Sequence, residues 1–125
     1  MYTLGLRREF EATHALVGGD WGAENAPHPH PYRLELRLEA DQLNSHGFVV
    51  DLIEAEAALD ALLDRYAGAD LNRLPEFSGL NPSLEHFARI LAEGLAAALQ
   101  SAGLATLSVQ LWESDQAWAQ CRIEL

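Results

Sequence analysis

The sequence predicts an α+β fold in the order β-β-α-α-β-β. Three observations carry it. Residues 2–14 and 32–40 alternate apolar and polar side chains with period 2. Residues 52–66 and 81–103 space their apolar side chains as a helix does. Residues 106–113 and 117–125 then return to alternation. Strands apolar on one side only, together with two helices, imply a four-stranded antiparallel sheet with both helices on one face.

In "YTLGLRREFEATH" the even positions Tyr2, Leu4, Leu6, Phe10, Ala12 and His14 form an apolar face that only Arg8 interrupts. Residues 15–31 are rich in Gly, Pro, Asn and Asp and read as a loop. The second strand is cleaner: Tyr32, Leu34, Leu36, Leu38 and Ala40 face one way, and Arg33, Glu35, Arg37 and Glu39 the other. "DQLNSHG" is a turn that contains His46. Asp51 suits the N-cap of the first helix, whose stripe is Leu52, Ala55, Leu59, Leu62, Leu63 and Tyr66. After an irregular stretch at 67–80, Asn81 and Pro82 suit the start of the second helix and Gly103 its end. Leu84, Phe87, Ala88, Leu91, Leu95 and Leu99 form its buried side. The last strands carry their apolar residues at odd positions: Leu107, Val109 and Leu111, then Ala117, Ala119, Cys121, Ile123 and Leu125.

The bulk numbers narrow the function. A chain of 125 residues is the size of one domain, expected here to span 1–125. Its net charge of −11 repels phosphate backbones and anionic lipid, so neither nucleic acid nor a membrane is the expected partner. The single cysteine supports neither a disulfide framework nor a multi-cysteine zinc site. "MYTLGLRREFE" turns polar within a few residues, so a signal peptide is not expected and the expected location is the cytoplasm.

Four ionisable residues continue apolar strand faces at strand ends: His14, His28, His30 and Glu113. A buried ionisable group needs a partner or a metal. Three imidazoles are the ligand set of a catalytic zinc site, which keeps a fourth position open. Each residue taken alone has a plainer reading. His14 fits a hydrogen-bonded strand histidine, "PHPHP" a stiff turn, and Glu113 a turn after Trp112.

The ordered set "FEATH", H-x-H before a Tyr-led strand, "GFVVDL", "LNRL", "NPSLEHFA" and "ES" resembles the 6-pyruvoyl-tetrahydropterin synthase and 6-carboxytetrahydropterin synthase family over almost the whole chain. The resemblance implies the tunnelling fold (T-fold), assembly of subunits into trimers or hexamers, and active sites at subunit interfaces. It implies Zn2+ on His14, His28 and His30, and a pterin-like ligand anchored by Glu113, whose carboxylate can accept two hydrogen bonds from an amino-pyrimidinone edge.

The departures are equally specific. Pro29 replaces the usual glycine of H-G-H. The usual catalytic cysteine is missing, and Glu24 stands near its place. Cys121, on the last strand, reads as core. Ala67 and Gly68 occupy the positions of an Asp-His pair, with Asp64 and Asp70 nearby. Some relatives with glutamate for the cysteine cleave the side chain of dihydroneopterin in an aldolase-like reaction. Glu24 is therefore the candidate acid/base, against a plainer reading as a solvated loop carboxylate. His86, in the first turns of the second helix, is a further residue within possible reach. Three readings follow: a zinc-dependent pterin-transforming lyase acting on a dihydroneopterin-type substrate, a zinc- and pterin- or purine-binding protein that has lost the synthase reaction, and a scaffold whose role lies in its assembly.

Overall fold

The computed structural model describes residues 1–100 and 102–125. The strands are β1 (Tyr2–His14), β2 (His28–Ala40), β3 (Thr106–Trp112) and β4 (Trp118–Glu124), and the helices α1 (Leu52–Tyr66) and α2 (Leu84–Leu99) lie between β2 and β3. All four strands form one antiparallel sheet in the order β1-β2-β3-β4, as the alternation predicted.

Register places the expected apolar positions on a common face. Leu34 stands opposite Leu111, Leu36 opposite Val109 and Leu38 opposite Leu107, and all six side chains are fully buried. Helix α2 lies over β3 and β4, and α1 lies beside β1. The helices contribute Ala55, Leu59, Leu63, Tyr66, Phe87, Ala88, Leu91, Leu95 and Leu99 to the core. Each large side chain buried this way stabilises the fold by roughly 1.5–3 kcal/mol. Leu52, placed on the stripe of α1 by its spacing, is exposed at the helix start.

Arg8, the exception on the apolar face of β1, is accommodated by α1. Its Nε donates to Asp60 at 2.8 Å and its Nη2 lies 3.4 Å from Glu56. The helix therefore brings two carboxylates to the one cation that breaks the strand pattern.

Three boundaries differ from the sequence expectation. The second strand begins at His28, not Tyr32, and pairs with β1 along its full length down to His14 opposite His28. Pro29 and Pro31 are tolerated because β3 pairs only with Arg33–Glu39, leaving this end of β2 without a neighbour on that side. Asp51 does cap α1, accepting from the Ile53 N–H at 2.9 Å. The cap of α2, however, is Ser83 and not Asn81: Ser83 Oγ accepts from the His86 N–H at 3.1 Å. Helix α2 ends at Leu99, short of Gly103, which has φ +73° in the connection to β3; Ser101, inside the expected helix, lies outside the described residues.

The β1–β2 hairpin thus overhangs the rest of the sheet. Its strands have 13 residues each against 7 in β3 and β4, and the overhang carries all three candidate histidines.

Candidate metal and ligand site

Cross-strand pairing builds this site. His14 stands opposite His28 and Ala12 opposite His30, so the period-2 strand geometry puts the three imidazoles on one face. Ring centroids are 4.7 Å apart for His14–His28, 5.0 Å for His14–His30 and 5.2 Å for His28–His30. Next to His14 and His30, Tyr32 stacks on Phe10 at 5.4 Å and meets Phe87 edge-on at 5.2 Å, with Tyr32 and Phe87 buried.

The ring nitrogens divide into held and unpartnered atoms. His14 Nδ1 bonds the Pro82 carbonyl at 3.0 Å, and His28 Nδ1 bonds the Ala26 carbonyl at 2.8 Å. A carbonyl can only accept, so in each ring Nδ1 carries the proton and Nε2 keeps its lone pair. The Tyr32 hydroxyl lies 3.3 Å from His14 Nδ1. Burial lowers the His14 pKa, with the Pro82 carbonyl acting in the opposite direction, which favours the neutral ring. Burial also raises the Tyr32 pKa, helped by Glu113 and Glu24, so its phenol keeps its proton. His14 Nε2, His28 Nε2 and His30 Nδ1 are buried without any hydrogen-bond partner. An unsatisfied buried polar atom costs about 1–3 kcal/mol, so three in one place call for a common partner.

Glu24 completes the group. Ligand atoms of His14, Glu24, His28 and His30 all lie within 4.8 Å of one another. Glu24 Oε2 is 3.5 Å from His28 Nε2, although the Glu24 side chain is half exposed. It is held there by its backbone: the 3-10 turn Gly22–Asn25 carries it, and the Leu16 N–H donates to its carbonyl at 2.9 Å. This donor set fits a borderline transition metal well and magnesium or calcium poorly, because two or more imidazoles replace the oxygen ligands those ions prefer.

Three asparagines clamp the loop that bears Glu24. Asn25 donates to the Leu16 and Gly19 carbonyls, Asn72 exchanges two hydrogen bonds with Ala15, and Asn81 accepts from the Val17 N–H. Asn81, expected as a helix cap, thus holds the loop instead. No local rule of the sequence predicts these clamps. Their only trace was the presence of Asn72 and Asn81 in "LNRL" and "NPSLEHFA".

Glu113 follows β3 directly, and its N–H donates to the Ala117 carbonyl at 3.1 Å. It shares a cleft of about 210 Å³ with His14, Glu24, Ser83 and Glu85. The structure therefore brings His14, Glu24, His28 and His30 into one group and places Glu113 on a cleft shared with two of them, His14 and Glu24.

Other candidates fall elsewhere. His86 Nδ1 accepts from Arg89 at 3.3 Å and is outside the histidine–glutamate group. His46 sits in its turn, its N–H donating to Asn44. Cys121 faces the helices from β4 opposite Val109, with burial pushing its thiol pKa up. Gly68 has φ +74° and donates its N–H to Glu11 at 2.7 Å, a backbone role that suits glycine. Asp70 caps the turn Leu71–Arg73 and lies 3.5 Å from Arg73, so its carboxylate is engaged.

A four-stranded antiparallel sheet with two helices inserted after its second strand, bearing three histidines at strand ends and a glutamate on the loop between them, defines a T-fold protein. The chain belongs to the 6-pyruvoyl tetrahydropterin synthase family, whose sequence profile matches residues 3–124. The 6-pyruvoyl tetrahydropterin synthase of Caenorhabditis elegans superimposes with a TM-score of 0.85 at 19% identity, covering 98% of this chain and 96% of that one. A catalytic-residue mutant of the Plasmodium vivax enzyme, with glutamate changed to alanine, superimposes at 0.77 with 13% identity and full coverage of both chains. A putative dihydroneopterin aldolase from Vibrio cholerae matches at 0.56 with 17% identity, over 100% of this chain and 98% of that one. No curated protein sequence matches the chain. No helix among the described residues is long and apolar enough to cross a membrane.

Proposed function

We infer that this protein is a zinc-dependent, pterin-transforming enzyme of the cytoplasm. Its single domain over 1–125 works as a trimer or hexamer, and it cleaves or rearranges the side chain of a dihydroneopterin-type substrate. One observation carries the reading: three unpartnered buried ring nitrogens converge beside a carboxylate in a family of pterin enzymes. His14, His28 and His30 would hold zinc, two through Nε2 and one through Nδ1. The bound ion would polarise side-chain oxygens of the substrate and acidify the neighbouring C–H.

The chain's own groups supply the remainder. Glu113 accepts hydrogen bonds from the amino-pyrimidinone edge and fixes the ring. Glu24 takes and returns the proton at the side-chain carbon, within reach because its loop is clamped from three sides. The glutamate described as a catalytic residue in the Plasmodium vivax enzyme supports giving this role to Glu24.

A second reading, a zinc- and pterin-binding protein without turnover, is favoured by one feature. Ala67 and Gly68 offer no titratable group, and the nearby Asp70 carboxylate is engaged with Arg73. Turnover assays with dihydroneopterin and its triphosphate, on the wild type and Glu24→Gln, separate the two. The enzyme reading expects product from the wild type and a loss of about 10²–10⁴-fold in Glu24→Gln, with zinc retained. Tight pterin binding without product establishes the binding protein. Product formation undiminished in Glu24→Gln removes Glu24 from the reaction.

A further inference from the structure

We propose that Glu24 is a fourth ligand of the metal in the resting protein, so that the site stays closed until a substrate oxygen displaces the carboxylate. This rests on the metal reading above and adds to it. Three histidines alone leave a position for water, whereas Glu24 fills that position from the chain itself.

The contact between Glu24 and His28 carries the proposal. Glu24 Oε2 lies 3.5 Å from His28 Nε2, yet that nitrogen is buried without a hydrogen-bond partner. The His28 proton sits on Nδ1, where the Ala26 carbonyl accepts it at 2.8 Å. In the neutral ring Nε2 therefore presents a lone pair to a carboxylate oxygen that also offers only lone pairs. Two acceptors keep this distance without penalty only when a cation lies between them, either a second proton on the ring or a metal ion. A proton on His28 would leave His14 Nε2 and His30 Nδ1 still unpartnered, whereas one metal ion satisfies all three nitrogens. Ligand atoms about 2.0–2.1 Å from a tetrahedral zinc stand about 3.3 Å from one another. The 3.5 Å contact is close to that spacing, and the four ligand atoms all lie within 4.8 Å of one another.

The backbone delivers this carboxylate. The Glu24 N–H donates to the Trp21 carbonyl at 3.2 Å, and the Glu24 carbonyl accepts from the Leu16 N–H at 2.9 Å. The next side chain, Asn25, accepts from the Trp21 N–H at 2.8 Å and donates to the Leu16 and Gly19 carbonyls. With the main chain fixed on both sides, only side-chain rotamers remain to be ordered when Glu24 binds. Glu85 and Glu113 also line the cleft but lie outside the four-residue group. All four ligands come from one chain, so the arrangement does not wait on a partner subunit. A carboxylate bound to the metal is not free to take a proton. Glu24 thus has two uses in succession: it closes the site while substrate is absent, and it becomes the acid/base once a substrate oxygen has replaced it.

The test loads the protein with Co(II), which accepts the same ligands as zinc and absorbs visible light. Water bound to such an ion ionises at about pH 7, which shifts the spectrum. With Glu24 in the fourth position there is no such water, so the wild-type spectrum is expected to stay constant from about pH 6 to about pH 9. In Glu24→Ala and Glu24→Gln water takes the carboxylate's place, and the spectrum should titrate at about pH 7. Chelator competition should find zinc bound about 10- to 100-fold more weakly in both variants, still on the three histidines. A wild-type spectrum that titrates as the variants' do, or a zinc affinity unchanged in both, overturns the proposal and leaves the metal reading intact. A spectrum constant in all three proteins does the same, because the group that fills the position is then not Glu24. Failure of the wild type to bind either metal overturns the metal reading, and this one with it.

Discussion

Two polar corners of this protein are built in opposite ways. Where α1 meets the turn Pro75–Phe77, Glu76 takes two hydrogen bonds from Arg65, at 2.6 and 2.7 Å, and a third from the Tyr66 hydroxyl at 2.7 Å. Arg65, and then Tyr66, hold the Glu76 carboxyl down at about 2 against burial. The set is closed, since donors and acceptors match within the chain. At the overhanging end of the β1–β2 hairpin, one buried and two partly buried imidazoles instead cluster with a buried ring nitrogen of each left without a hydrogen-bond partner. The free Nε2 atoms of His14 and His28 are acceptors, because each Nδ1 proton goes to a carbonyl. The first corner is satisfied within the chain, and the second leaves three ring nitrogens without a hydrogen-bond partner.

The largest effect should come from deleting a member of the open corner. His28→Ala or His14→Ala is expected to lower zinc affinity by more than ~100-fold, beyond what loss of a supporting residue causes. Metal analysis of the purified variants, with chelator competition, reads this directly, and stoichiometric zinc retained in both would remove the assignment. In the wild type, zinc at about 1,000 times its dissociation constant should add ~4 kcal/mol to unfolding, visible as a fall in Tm when a chelator is added. An unchanged Tm on chelation would show that the corner is complete without metal.

The closed corner should respond to pH instead. Arg65 holds the Glu76 carboxyl down at about 2 against an ordinary value of 4.5, so its contribution is fully present above the unfolded pKa. It is lost as pH falls through 4.5 toward 2. Because Arg65 is half exposed, solvent screening reduces the size of the effect. Glu76→Gln is expected to cost about 1–2 kcal/mol at pH 7 and almost nothing near pH 2 in denaturant melts. A cost that stays constant from pH 7 to pH 2 would show that packing, not charge, sets it.

Smaller still is the effect of the hydroxyl that touches the open corner. Tyr32→Phe should leave folding nearly unchanged and weaken zinc by up to about tenfold, since the 3.3 Å contact to His14 Nδ1 supplements the bond to Pro82. A loss as large as that of His28→Ala would mean that Tyr32 belongs to the site itself.

Strand parity, helix stripes and the Asp51 cap were legible in the sequence because they follow from neighbours a few residues apart. The same local rule put His14, His28 and His30 on apolar faces, and Arg8 as the exception on β1. Local rules also misled where a distant element intervened. The prolines mask the start of β2 at His28, which pairing with β1 decides, and Asn81 suits a cap by its position although its side chain binds the loop at Val17.

The sequence by itself determined the α+β order, the one-sided strands and the identity of the chemically able residues, since side-chain type and period are written at each position. Only the tertiary structure decided that His14 faces His28 across a hairpin and that Glu24 comes to their side. It also decided that a carbonyl 68 residues away, at Pro82, fixes which nitrogen of His14 is free. Every residue carries the same backbone carbonyl, so no letter of the sequence marks the one that orients a ligand. That choice is made by packing, when the segment just before α2 brings the Pro82 carbonyl to the end of β1.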